Sequence, residues 1–112
     1  MTHLNQHTQI GRIGKVRQVG DNVMVSIGSD ASYKKDGEWI SRAHWVEHTI
    51  FGRQDGLKKW VLEKLQPGDL VSVVSTPQQT SWEKDGEKHY GYTFAVEQFD
   101  LLTAKSALAE RS

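Results

Sequence analysis

The chain has 112 residues and no cysteine, enough for one compact domain and too few for two. Fourteen Lys and Arg balance fourteen Asp and Glu, which argues against a protein that holds nucleic acid by bulk charge alone. Four Trp, three Tyr and three Phe leave binding by aromatic stacking open. No apolar run is long enough to span a membrane and no signal-peptide pattern is present, so we expect a cytoplasmic protein with no membrane partner.

The first half of the chain predicts strands joined by turns. The segment TQIGRIGKVRQV is interrupted by Gly11 and Gly14, and Ile10 and Ile13 are three residues apart, which indicates a bulge or sharp bend. A turn follows at Gly20, and VMVSIGS then alternates apolar and polar residues as a half-buried strand does. The polar segment SYKKDGEWIS has Asp-Gly at its tip, which predicts a hairpin turn.

The third predicted strand lies in RAHWVEHTIFG and carries large apolar residues on both faces. Trp45 and Phe51 share one face, while Val46 and Ile50 share the other. A half-buried strand needs only one apolar face for the core. The face of Trp45 and Phe51 is therefore available for a contact outside the core.

One helix is predicted in QDGLKKWVLEKLQPGD. Leu57, Trp60, Val61 and Leu65 recur at helical spacing, and Pro-Gly ends the segment. We expect Trp60 to belong to the core and Asp55 to cap the helix at its N-terminus.

The last part of the chain predicts a strand, LVSVVS, and a long hairpin, TSWEKDGEKHYGYTF, around a second Asp-Gly turn. Tyr90, Tyr92 and Phe94 alternate on its return arm, and we expect at least one of them in the core. The complete order predicts an all-β fold, a five-stranded OB-fold barrel with one short helix between strands 3 and 4 and long β-hairpins. We expect this domain over residues 1–102 and a short extension over 103–112.

Taken together, these motifs resemble the bacterial single-stranded DNA-binding protein family. IGRIG resembles its first strand, HWVEHTIFGR its third strand, WVLEKLQPGDLVSVV its helix and fourth strand, and SWEKDGEKHY its long hairpin. The resemblance covers about Asn5 to Leu102. It implies sequence-independent binding of single-stranded DNA in replication, repair or recombination, by a homo-oligomer (dimer or tetramer) that is no enzyme and needs no cofactor.

The resemblance also implies which residues contact DNA. The motifs place the stacking aromatics at Tyr33, Trp45, Phe51 and Trp82. Phosphate contacts are expected from the cations near them in sequence, namely Arg12, Lys15, Arg17, Lys34, Lys35, Arg53, Lys84 and Lys88. The alternative for each cation is ordinary solvated charge.

The sequence departs from the family pattern after Trp45, in the segment between IGRIG and VMVSIG, which is several residues shorter, and after Leu102. Val46 stands where the family has a His that supports subunit packing, and Glu47 replaces a cation on the face of Trp45. The family's flexible linker and acidic tip are absent from 103–112. We therefore expect no tail-dependent recruitment of replication enzymes.

Two other functions stay open: a primosomal-type replication protein, and an OB-fold protein-interaction module in which Trp45 and Phe51 contact a protein. Trp39 fits either loop packing or stacking, and we favour loop packing. His44 and His48 lie about 13 Å apart along a strand, too far for one metal ion, so we interpret both as exposed or interface imidazoles. We find no catalytic motif and expect no catalytic or metal-binding residues.

Overall fold

The structure is a computed structural model that describes residues 3–105. The predicted extension over 103–112 lies mostly outside the described residues. The secondary-structure elements in chain order are β1 (His7–Val19), β2 (Asn22–Asp30), β3 (Tyr33–Lys35), β4 (Glu38–Ile40), β5 (Ala43–Ile50), α1 (Asp55–Lys64), β6 (Leu70–Lys84) and β7 (Glu87–Thr103).

Five strands close into a barrel in the order β1-β2-β5-β7-β6, and β3 and β4 form a separate hairpin. Neighbouring barrel strands are antiparallel except β5 and β7, which are parallel where His48 pairs with Phe94 and Thr49 with Ala95. The helix α1 lies in the chain between the third and fourth barrel strands. This is the topology of the OB-fold, and it confirms the predicted fold class.

The core fills the barrel with side chains from every barrel strand and from α1. Its buried members are Ile13, Val23, Val25, Ile27, Ile50, Val61, Leu65, Val71, Val73, Val96 and Phe99. Trp60 is half-buried, packs against this core and meets the Phe99 ring edge-on at 6.1 Å between centroids. Trp60 thus contributes to the core as the helical spacing predicted.

The first strand contains the predicted bulge. The pairing of β1 with β2 shifts between Ile13 and Lys15, so Gly14 is an inserted residue. Because of this insertion, Ile13 is buried and Val16 also packs against the core. Ile10 faces outward and Ile13 inward, as three-residue spacing gives in a regular strand. Their spacing was therefore not a sign of the bulge, which lies after Ile13.

The prediction that Asp55 caps the helix is wrong. Gln54 occupies the N-cap position and makes no side-chain cap hydrogen bond, and Asp55 is the first helical residue. The Gln54 side chain instead accepts from the Phe51 backbone amide at 3.2 Å and donates to the Val96 carbonyl at 3.0 Å. Asp55 forms an ion pair with Lys58 at 3.4 Å, one helical turn further on.

Both predicted Asp-Gly turns are confirmed. Asp36 and Gly37 have φ of 52° and 82°, and Asp85 and Gly86 have φ of 53° and 79°. Two successive residues with positive φ match the type I′ turn that joins tightly paired strands.

The interpretation of His48 as exposed or at an interface is wrong, although His44 is exposed. His48 is fully buried because it shares the inner face of β5 with Ile50. Its Nε2 lies 2.7 Å from Gln9 Oε1 and its Nδ1 lies 2.7 Å from Ser75 Oγ. Burial, and then the nearby His7, lower the pKa of His48 to about 4, so the ring is neutral at pH 7.

The tautomer of His48 follows from the partners of Gln9. The Gln9 amide nitrogen already donates to the Ile27 carbonyl and to Ser29 Oγ, both at 3.0 Å. Its oxygen must therefore accept the proton on His48 Nε2, which leaves Nδ1 to accept from the Ser75 hydroxyl. A buried polar chain thus crosses the barrel interior with its hydrogen bonds satisfied.

Candidate nucleic-acid interface

The outer surface of β1, β2 and β5, which we call the outer face, presents side chains in cross-strand rows. One row joins Arg12, Gly28 and Trp45, and the next joins Lys15, Ser26 and Glu47. A third row joins Arg17, Met24 and Thr49. Three cations therefore follow β1 on the same surface as Trp45.

Trp45 lies on this surface with its ring face over Gly28 and its ring edge against Gly14. A Cβ at Gly28 would lie 2.9 Å from each of Cζ2, Cη2 and Cζ3, and equal distances to three consecutive ring carbons place it over the ring face. A Cβ at Gly14 would lie 2.8 Å from Cη2. The indole therefore rests on the backbone of two neighbouring strands, while Trp45 remains 58% exposed. A ring supported on one side and open on the other can stack with a base.

Arg17 and Glu47 form an ion pair across β2. Arg17 Nε donates to Glu47 Oε2 at 3.1 Å and Nη2 donates to Oε1 at 3.0 Å. These hydrogen bonds, and then the attraction between the charges, raise the pKa of the Arg17 guanidinium. Glu47 therefore neutralises one of the three cations on β1.

A cleft of about 660 Å³ opens beside Trp45. Its lining combines the apolar residues Ile10, Ala43, Trp45 and Leu70 with Gly11, Gly28 and Ser41 and with the charged residues Arg12, Asp30 and Arg42. Hydrogen bonds from the Ser32 hydroxyl and then the Ser32 amide lower the pKa of the Asp30 carboxyl. Apolar walls next to two guanidinium groups suit a nucleotide, which combines an apolar ring face with a phosphate.

The β3–β4 hairpin stands at the edge of this cleft and carries aromatic residues on both faces. Tyr33 pairs with Ile40 and shares its face with Lys35. Trp39 pairs with Lys34 on the opposite face and is 73% exposed, so the interpretation of Trp39 as packed within the loop is wrong. Three-residue arms cannot bury a Trp, and this length is the signal that could have identified Trp39 as exposed.

The long β6–β7 hairpin also separates predicted site residues. Trp82 stacks on its cross-strand partner His89, with centroids 5.8 Å apart and planes inclined by 20°. Lys84 is on the face of Trp82, whereas Lys88 lies over the Tyr90 ring on the opposite face, 5.5 Å from its centroid. One strand of DNA lying on the Trp82 face would meet Lys84 and not Lys88.

Phe51 and Arg53 lie away from the cleft. Phe51 follows the end of β5, about 20 Å along the chain direction from Trp45 on the spacing of an extended strand, and it is half-buried. Arg53 is exposed in the turn before α1. The structure thus brings Trp45 together with Arg12, Lys15 and Arg17, and it places the other predicted contacts on separate elements.

Two exposed aromatic residues of the β6–β7 hairpin are absent from the predicted stacking positions. Tyr90 and Tyr92 lie on the same face of β7 as the inward-facing Phe94, but they lie beyond the barrel. They are 60% and 70% exposed. Only Phe94 of this alternating set packs inward, against His7 at 4.9 Å between centroids and against the buried His48. Arg42 in the cleft was likewise not among the predicted contacts.

The described residues hold no cluster of three or more His, Asp or Glu side chains suited to a metal ion. Within the same residues, α1 is too short and too polar to cross a bilayer.

The chain shares its OB-fold with single-stranded DNA-binding proteins of known structure. The mitochondrial single-stranded DNA-binding protein of S. cerevisiae matches over 91% of this chain and 98% of its own, with a TM-score of 0.69 and 21% identity. The single-stranded DNA-binding protein of Plasmodium falciparum, solved in complex with single-stranded DNA, matches over 91% and 97%, with a TM-score of 0.68 and 16% identity.

A bacterial protein with this fold gives a similar result. A deletion mutant of the single-stranded DNA-binding protein of Thermus aquaticus matches over 93% of this chain and 53% of its own, with a TM-score of 0.66 and 22% identity. No protein-family model matches the sequence, and no curated protein matches it. At these identities the likeness establishes a shared fold, which extends beyond bacterial proteins.

Proposed function

We propose that the protein binds single-stranded DNA without sequence preference, by stacking bases on exposed aromatic rings and contacting phosphates with nearby cations. The observation that carries this proposal is the Trp45 indole, which rests on Gly14 and Gly28 with its other face exposed. Every base has a π-face, so such a platform accepts any sequence. The three solved structures compared above are single-stranded DNA-binding proteins, and this supports the proposal.

The contacts that we propose fall into a centre and a periphery. Trp45, Arg12 and Lys15 form the centre, with Arg42 contributing from the cleft. The proposed peripheral contacts are Tyr33, Lys34, Lys35, Phe51, Arg53, Trp82, Lys84 and Lys88. A strand that runs from the centre to the β6–β7 hairpin would pass several of these and would be held by many weak contacts.

Intrinsic Trp fluorescence titrated with oligo-dT, and with a duplex of equal length, tests the proposal. We expect quenching and saturation with the single strand and much weaker binding of the duplex, because paired bases cannot splay onto a ring. Trp45→Ala should weaken oligo-dT binding by about 1–3 kcal/mol and leave the circular dichroism spectrum unchanged. Equal binding of both DNAs, or a folded Trp45→Ala protein with undiminished affinity, would refute it.

We also propose that the protein acts as a homo-oligomer in the cytoplasm, as a non-enzymatic binding protein. The exposed rings of Tyr90 and Tyr92 lie on the hairpin face opposite Trp82 and supply apolar surface for a contact between copies. Light scattering at micromolar concentration should give a mass of at least a dimer. A monomer would contradict the oligomer and leave the DNA-binding proposal standing.

A further inference from the structure

Glu47 is an acidic residue at the centre of the proposed DNA-binding face. It stands beside the row of Trp45, in the row that also contains Ser26 and Lys15. Both of its carboxylate oxygens accept hydrogen bonds from Arg17, at 3.0 and 3.1 Å. A guanidinium presents the same two-donor fork to a carboxylate and to a phosphate. Glu47 therefore accepts the same pair of Arg17 hydrogen bonds that a phosphate of the DNA strand would accept.

We infer that Glu47 is an intramolecular competitor of the DNA phosphate at Arg17 and thereby sets the affinity of the outer face for single strands. This inference rests on the proposed function. To use the Nε–Nη2 edge of Arg17, a strand has to displace the carboxylate from two guanidinium nitrogens. Lys15, in contrast, makes no ion pair with any described residue and can contact a phosphate at once.

The exposure of the pair makes this exchange feasible. The side chains of Arg17 and Glu47 are 46% and 38% exposed, so water and a strand both reach the contact. Exposed ion pairs of this kind are weak, and a phosphate can replace the carboxylate at small cost. After displacement the Glu47 charge remains on the same face and repels the strand. Both effects reduce the contribution of Arg17 to the free energy of DNA binding.

A double-mutant cycle tests the competition. Oligo-dT binding is measured by fluorescence titration at several salt concentrations for the wild type, Glu47→Gln, Arg17→Gln and the double variant. We expect Glu47→Gln to bind about three- to fivefold more tightly at low salt. Its slope of log affinity against log salt should be more negative by about 0.7, the value for one additional phosphate contact on a single strand.

Arg17→Gln gives the decisive comparison. It should weaken the wild type less than it weakens Glu47→Gln, and the gain from Glu47→Gln should be smaller in the Arg17→Gln background, where only the repulsion from the Glu47 charge remains to be removed. Glu63→Gln is the matched control, since Glu63 is an exposed glutamate on α1, away from the outer face. Its effect measures the contribution of net charge alone.

The inference is overturned if Glu47→Gln binds no more tightly than Glu63→Gln. It is also overturned if Arg17→Gln weakens the wild type as much as it weakens Glu47→Gln, because Arg17 would then already be free for DNA. In either case, wild-type binding that still depends on Trp45 would leave the proposed function intact. Binding that is independent of Trp45 would remove both.

Discussion

Gly28→Ala tests the seating of the Trp45 ring directly. The new Cβ would lie 2.9 Å from three ring carbons, whereas carbon atoms pack at about 3.5–4.0 Å. The backbone cannot retreat, because Gly28 is paired with Arg12 on one side and with Trp45 on the other. The ring therefore has to move outward by roughly 0.6–1.1 Å or tilt.

One stacked base contributes about 1–3 kcal/mol to the free energy of binding, and displacing the ring should remove part of this. We therefore expect oligo-dT affinity to fall about fivefold. Stability should stay equal or rise, because alanine loses less conformational entropy than glycine on folding. Fluorescence anisotropy measures the first quantity and urea unfolding the second. Gly91→Ala is a graded comparison: its Cβ would meet the Trp82 ring at 3.2 Å, so the loss should be smaller.

If Gly28→Ala weakens binding equally in a Trp45→Ala background, the effect of the new Cβ does not pass through the ring. If the folded Gly28→Ala protein binds as the wild type does, the position of the ring does not control DNA affinity.

Three further predictions concern single side chains. The folded state keeps His48 neutral, with a pKa of about 4, below the ordinary 6.5. The free energy of unfolding should therefore fall by up to about 3 kcal/mol as the pH drops from 6.5 to 4. Urea titrations of His48→Gln should show a smaller fall over the same pH range. Trp60→Ala should destabilise the domain by about 2–4 kcal/mol in urea and leave oligo-dT affinity per folded molecule unchanged, because Trp60 packs on the core away from the outer face. Lys15→Gln should weaken oligo-dT and oligo-dC equally and make the salt slope less negative by about 0.7; a change for one sequence only would exclude a phosphate contact.

The barrel was predictable because its signals are local. Alternating apolar residues, two Asp-Gly turns and one segment with helical spacing determine the order of the elements. The alternation of side chains along β5 also predicts that His48 is buried, because His48 shares a face with Ile50. The sequence does not show that Gln9 and Ser75, from β1 and β6, meet the imidazole across the barrel.

The charge arrangement on the outer face was less predictable, because it depends on register between distant strands. Arg17 and Glu47 are 30 positions apart, and the bulge at Gly14 decides which side chains of β1 face outward beyond it. A shift of one residue would point Arg17 into the barrel. A prediction that treats Glu47 simply as a lost cation therefore misses the ion pair that it forms.

The β6–β7 hairpin continues beyond the pair of Pro77 and Phe94, and none of its residues past that pair is buried. Its length is therefore independent of the core, and its arms can gain or lose residues without disturbing the barrel. Because side chains alternate, a change of two residues in each arm keeps Trp82 on its present side, whereas a change of one transfers it to the side of Tyr90. The reach of the proposed DNA contact along this hairpin can thus be altered in steps of two residues per arm with Trp82 kept on the same face.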